Sequence, residues 1–202
     1  MKAIFINHNF TPDWIHEYNF DYLIYDRSDS KKYLRDFPQD RITYTDNIGN
    51  VDRDRLAYIV ENYDDLPDVF LLSKTNLFKY ITKEEFDKVK DNKTFTPLLT
   101  QNHKVYEPIC RYVDGMYEEI NNSWYVPAFF TQYLTYNDWA KELGLPTPEY
   151  LQFPPGGNFI VTREVIHRHP KLFYKKLKSM LEYTELPAEA QFVERTYYTL
   201  WK

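Results

Sequence analysis

The chain has 202 residues, 18% of them aromatic with nineteen tyrosines, and a formal net charge of -5. That length suits one domain with a substantial core and leaves little room for two. The acidic balance argues against an indiscriminate nucleic-acid binder, although it leaves space for a local basic pocket, and the lone Cys110 excludes an internal disulfide framework and fits a reducing compartment.

In chain order, "MKAIFINHNF" opens with an apolar run too short for a signal peptide, and no later stretch is long enough to span a bilayer. The expected product is soluble and cytoplasmic, without an intrinsic membrane anchor, in a host cell's cytoplasm if the source is viral. Lys2–Asn7 reads as a buried first strand and Asp21–Tyr25 as a second, which leaves through the turn-rich "DRSDS". Arg41–Thr45 is a third, more alternating strand. Leu56, Ile59, Val60 and Tyr63 then mark one face of a helix. Asn50 or Asp52 suits its cap, and Asp52 and Asp54 suit the positive end of its dipole. Pro67 ends the segment, and Val69–Leu72 follows as a fully buried strand delivering Ser73 and Lys74. Thr82 and Glu85 form a capping box for a short helix through about Val89. From Asp91 to Pro155 the pattern predicts long loops with one or two short helices, around Asn137–Leu143. "GGNFIV" is a strand opened by two glycines, and Arg163–His167 a short helix. Pro170 starts a helix to about Tyr183, and Pro187 a last one with Val193, Tyr197 and Leu200 on one face.

Buried strands separated by helices predict a three-layer α/β, Rossmann-like domain with a mostly parallel central sheet, spanning residues 1–202. Ligands of such sheets sit outside the carboxyl ends of the strands. That rule selects Asn7, His8 and Asn9, then Asp26 and Arg27, then Ser73 and Lys74: amides, a carboxylate and two cations suited to a nucleoside diphosphate and its sugar.

The order of segments resembles an uncharacterised group of small glycosyltransferase-like proteins with a GT-A-type fold. The group's Asn-Val-Gly-Arg-Glu, Tyr and Asn-Tyr-Asp-x-Leu-Pro-Asp pattern is met by Asn50, Val51, Arg53, Tyr58, Asn62, Tyr63, Asp64, Leu66, Pro67 and Asp68. Near the end, Phe159, Val161, Arg163, Ile166, Pro170, Phe173 and Tyr174 meet a second pattern, and Glu194, Arg195 and Trp201 a third. The match covers the first and last thirds. More loosely, the chain is similar to the small glycosyltransferases that large algal viruses use on capsid glycans.

The resemblance implies transfer of a sugar from a nucleotide-sugar donor, foremost a UDP-sugar, to a glycan or glycoprotein acceptor, with a divalent metal (Mn or Mg) bridging the donor diphosphate. It adds Arg53 and Asp54 to the donor site. Two departures stand out: Asp52 and Asp54 replace Gly and Glu, and Leu72-Ser73-Lys74 stands where GT-A enzymes usually carry Asp-x-Asp. Either Lys74 supplies the metal's charge or carboxylates from elsewhere hold the ion. Glu194 is the candidate catalytic or acceptor-side carboxylate, with a helix salt bridge as the other reading. Gly156 and Gly157 suit close backbone approach to the sugar or simple relief of the turn. Trp124, Tyr125 and Trp139 are candidates for an acceptor groove.

Plainer readings accompany these. Arg53 and Asp54 also fit a solvated first turn, and His8 a loop histidine satisfied by backbone. Asp64, Asp65 and Asp68 read as turn chemistry at the wrong end of the sheet for a metal. "HRHP" reads as capping and surface. The rivals to a transferase are a non-catalytic nucleotide- or glycan-binding module on the same fold, and an interaction domain with an aromatic partner surface.

Overall fold

The computed structural model describes residues 1–100 and 109–202; the stretch of the irregular middle at 101–108 lies outside the described residues. Strands β1 (Lys2–Asn7), β2 (Asp21–Asp26) and β3 (Ile42–Tyr44) precede helix α1 (Asn50–Asn62) and strand β4 (Val69–Lys74). After them come α2 (Lys83–Val89) and β5 (Thr96–Pro97), then β6 (Cys110–Val113) and β7 (Met116–Ile120). Helices α3 (Tyr125–Ala128) and α4 (Tyr136–Glu142) lead to β8 (Tyr150–Phe153) and β9 (Phe159–Thr162). Three helices close the chain: α5 (Arg163–His167), α6 (Lys171–Ser179) and α7 (Ala188–Trp201).

The fold is α/β: a six-stranded, mostly parallel sheet in the order β3-β2-β1-β4-β9-β5, flanked by helices, with a small three-stranded antiparallel sheet, β6-β7-β8. Strands β1 to β4 pair in parallel and β9 runs antiparallel to β4. The period of two along each strand sends side chains to opposite faces. Ile4, Ile6, Phe70, Leu72, Phe159 and Val161 pack with α1, α4, α6 and α7. Ala3, Phe5, Leu71 and Ile160 pack on the other face with Ile15, Leu34, Leu77 and Phe86. Two-sided burial explains why β1 and β4 are continuous apolar runs, each fully buried Leu, Ile or Phe contributing about 1.5–3 kcal/mol.

The sequence places β1, β2, β4 and α5 within a residue or two, β9 starts three residues after the glycine expected to open it, and the capping box on Thr82 and Glu85 forms as expected. The exposed Thr43 and Tyr44 suit β3's place at the sheet edge. Pro170 and Pro187 occupy the cap positions of α6 and α7, one residue before the first turn, and α6 stops at Ser179, short of Tyr183. The middle is the main correction. Besides α3 and α4 it forms the antiparallel sheet β6-β7-β8, whose strands of four or five residues are too short to announce a period. The Asp64–Asp65 turn is a 3-10 turn before β4, as its chemistry predicts.

The start of α1 also differs from expectation. Its cap is Gly49 at φ 73°, and Asp52 lies inside the helix, buried. A Cβ on Gly49 would stand 2.7 Å from the Arg53 Cβ and 2.9 Å from the Leu181 carbonyl oxygen. Only glycine meets both demands without strain. Gly49→Ala is therefore expected to destabilise the fold by at least about 1–2 kcal/mol, the left-handed penalty before any clash, as measured by calorimetric melting.

Candidate functional site

In the sheet order the chain moves outward one way from β1 to β2 and β3, then returns to place β4 on β1's other side. That reversal leaves a crevice at the carboxyl ends of β1 and β4, where doubly wound sheets bind ligands. A cleft of about 350 Å³ opens there. Its walls include His8 after β1, Arg27 after β2, Lys74 at the end of β4, Thr75 and Asn76 beyond it, and Asn50 and Val51 from the first turn of α1. The positive end of α1's dipole thus borders the cleft.

Several expected residues build the cleft without lining it. Asn7 is fully buried; its amide donates to Asp26 Oδ1 (3.1 Å) and Ser28 Oγ (3.2 Å), and its oxygen accepts from Thr75 Oγ1 (2.5 Å). It therefore ties together the ends of β1, β2 and β4. Asn9, at φ 53°, donates to Asp29 Oδ2 (2.8 Å) and lies 3.2 Å from His8 Nε2. Ser73 is buried and donates to Asn158 Oδ1 (3.1 Å), which also accepts from the Lys74 backbone N–H (2.9 Å). Lys74 is thereby fixed at its root while its ammonium stays at the cleft.

Arg27 is the most constrained wall. Although it lines the cleft it is only 2% exposed. Its Nε and Nη2 both donate to Asn47 Oδ1 at 3.0 Å, and Nη1 stands 3.5 Å from Asp54 Oδ2 with no hydrogen-bond acceptor. Asp54 is fully buried behind it, accepting from Arg53 Nη1 (3.0 Å) and Thr45 Oγ1 (3.2 Å). Arg53 turns away toward Glu182 (3.3 Å). Of the two residues expected at the donor, Asp54 is a counter-ion positioning Arg27, and neither it nor Arg53 lines the cleft. The solvated-turn reading fails for Asp54 as well, because no water reaches it.

A second buried cluster lies beneath Lys74. Arg55, fully buried, donates to Asp52 Oδ1 (2.7 Å) and the Gly156 carbonyl (2.7 Å). Gly157, at φ 61°, leaves the room that Arg55 fills, since a Cβ there would come within 2.7 Å of Arg55 Nη1. A Cβ on Gly156, at φ 86°, would meet the Tyr80 ring at 2.7 Å. The glycine pair therefore serves packing against Arg55 and Tyr80. Glu194 stands 3.8 Å from both Lys74 Nζ and Arg195 Nη1, which supports the ion-pair reading for it. Arg195 makes a two-pronged pair with Glu119 (2.8 and 3.1 Å) between the rings of Tyr125 (4.4 Å) and Phe153 (4.6 Å).

The buried arginines separate by charge balance. Burial pulls hardest on each, yet Asp52 carries Arg55 above the usual arginine value and Glu119 does so for Arg195. For Arg27, burial outweighs Asp54 and Asp52 and lowers the value, while burial likewise raises Asp54 despite Arg27 and Arg53. An ion pair in which burial wins on both sides is a poor source of stability, and such pairs cluster where a ligand is received.

Of the three aromatics expected at an acceptor groove, Tyr125 and Trp139 are fully buried, Trp139 packing on Tyr136 and Phe192 at 5.5 Å, whereas Trp124 is 41% exposed. Conversely, sequence reasoning missed Glu185 and Leu186, which reach the cleft because Gly49 N donates to the Thr184 carbonyl (2.8 Å) and Asn50 N to that of Glu185 (3.0 Å). No local signal marks such a contact. Asn47 and Asn76 sit in turns whose composition did hint at a loop.

Among the described residues no three His, Cys, Asp or Glu side chains gather to hold a metal ion. His167 Nε2 instead lies 2.8 Å from the Tyr63 carbonyl and His169 stacks on Phe173, the capping and surface roles expected of "HRHP". Also among the described residues, no helix is long and apolar enough to cross a membrane.

Fold and cleft together define an α/β protein with a polar crevice at the strand-order reversal of its sheet. A family model described as "Protein of unknown function (DUF3431)" matches residues 7–202, and the chain belongs to that family. No curated protein and no solved structure matches it.

Removing Asp54 strands a buried guanidinium. Asp54→Ala is expected to lower the unfolding free energy by about 3–5 kcal/mol, read from urea titration, whereas Glu182→Ala, at a half-buried pair, is expected to cost less than about 1 kcal/mol.

Proposed function

We propose that this chain is a nucleotide-sugar-dependent glycosyltransferase of GT-A type, with the donor's diphosphate in the cleft between β1 and β4 and a glycan or glycoprotein as acceptor. One observation carries the reading: two cations from different strands, Arg27 and Lys74, converge on that cleft, while their counter-ions Asp54 and Glu194 do not line it. In glycosyl transfer the bond from the anomeric carbon to the diphosphate breaks, and its electron pair leaves with the nucleoside diphosphate. Catalysis then depends chiefly on fixed positive charge at the departing phosphate oxygens. Arg27, Lys74 and the amino end of α1 supply it. A uridine diphosphate sugar is the donor class the family resemblance favours.

The acceptor's hydroxyl oxygen forms the new bond to the anomeric carbon and gives up its proton. Glu194, 14% exposed at its side chain beside Lys74, is the proposed group to receive it in an inverting transfer. The half-exposed Trp124 is the proposed acceptor-side aromatic. A second reading has its own observation: Glu194 is shared between Lys74 and Arg195, which suits a module that binds the nucleotide without transfer.

A melting panel with UDP, GDP, CMP and several UDP-sugars tests the reading. A uridine nucleotide at a hundred times its Kd is expected to add about 2.7 kcal/mol of stability. Release of UDP from a UDP-sugar, in water or with glycan acceptors, is expected to fall at least tenfold in Glu194→Gln with the melting shift retained. Binding without turnover under any acceptor favours the module; no shift with any nucleotide sinks both readings.

A further inference from the structure

We infer that the cleft grips its ligand's diphosphate directly through Arg27 and Lys74, with no divalent cation between protein and phosphate. This rests on the nucleotide reading above and departs from the metal that the GT-A resemblance implies. A magnesium or manganese site uses hard oxygen ligands, with carboxylates leading. Among the described cleft-lining residues the only carboxylate is Glu185, on the loop before α7. The place after β4 offers the buried Ser73, whose hydroxyl lies within hydrogen-bond distance of the Lys74 carbonyl (2.9 Å) and Asn158 Oδ1 (3.1 Å), and then the ammonium of Lys74. A dication held there would face two fixed cations.

The same residues suit phosphate oxygens. Arg27 is held in place by Asn47 and lines the cleft, while its Nη1 is turned to the buried Asp54 at 3.5 Å, a long pair that leaves the guanidinium charge only partly balanced. An anion in the cleft beside the guanidinium adds the charge that this long pair does not supply. Lys74 Nζ stands 3.8 Å from Glu194, too far for a hydrogen bond, so its donors are available to a ligand. The two differ in kind: a planar guanidinium fixed in orientation and a compact point charge on a flexible stem. Together with the first turn of α1 they give a diphosphate a fixed contact, an adjustable contact and a favourable dipole. The long Arg27–Asp54 pair, against the 2.8 Å contact of Arg195 with Glu119, agrees with an anion completing the balance of charge at Arg27.

Isothermal titration of the intact chain with UDP and with inorganic pyrophosphate, in excess chelator and then in manganese or magnesium, tests this. Both ligands are expected to bind in chelator, with affinity changed less than threefold by either metal. Lys74→Met is expected to weaken both at least tenfold while the melting temperature without ligand stays within a few degrees, and Lys74→Arg to recover most of the loss. UDP binding that requires metal overturns the inference and leaves the nucleotide reading standing. Unchanged affinity in Lys74→Met overturns it too. Absence of UDP binding with or without metal overturns both. Arg27→Lys serves as the second variant: it keeps the charge but gives up the Asn47-fixed fork, and pyrophosphate binding at wild-type strength in it removes Arg27 from the grip.

Discussion

A carboxylate with no access to water, Asp54 in the first turn of α1, sets the arrangement around the cleft. Burying it is costly unless cations and donors surround it. The chain meets that demand from three directions: Arg27 after β2, Thr45 after β3, and Arg53 from the preceding position of the helix. Because these partners come from different elements, satisfying one side chain fixes the helix against the ends of two strands. The guanidinium of Arg27 is brought to the cleft wall as a result, held by Asn47 and by its long pair with Asp54.

The other buried charges are paired at shorter range. Arg55 with Asp52 and the Gly156 carbonyl, and Arg195 with Glu119 between two aromatic rings, make short contacts. They join α1 to the loop before β9 and α7 to the antiparallel sheet, and breaking either would leave an uncompensated charge in the core. Arg27 and Lys74 have only long contacts to their acids. Short pairs hold the frame, and the two long pairs stand at the cleft.

Much of the frame is legible in the residues. Continuous apolar runs announce β1 and β4 because both faces of the sheet are covered, and the capping box at Thr82 announces α2 because it is a local hydrogen-bond pattern. The rule that ligands sit at carboxyl ends of parallel strands selects His8, Arg27 and Lys74, all of which line the cleft. It does not separate these from Asn7, Asp26 and Ser73, which occupy equivalent positions but turn inward. The motif around Arg53 and Asp54 is also visible, but whether it meets ligand or counter-ion is a matter of which strand end the helix lands on. Trp139 and Tyr125 illustrate the same limit, since an aromatic in an irregular segment reads alike whether it covers a core or a groove.

What the sequence by itself determined is the α/β class, the order of most elements and the edge of the sheet where polar residues collect, because these follow from periodicity, caps and turns within a few residues of one another. The addition of β8 to the local β6–β7 hairpin, the seating of residues 184–186 on Gly49 and Asn50, and the burial of Asp54 behind Arg27 were decided only in the tertiary structure. Each joins residues far apart in the chain. Each is selected by the need to satisfy buried polar groups and fill space, constraints that exist only once the distant partners have met.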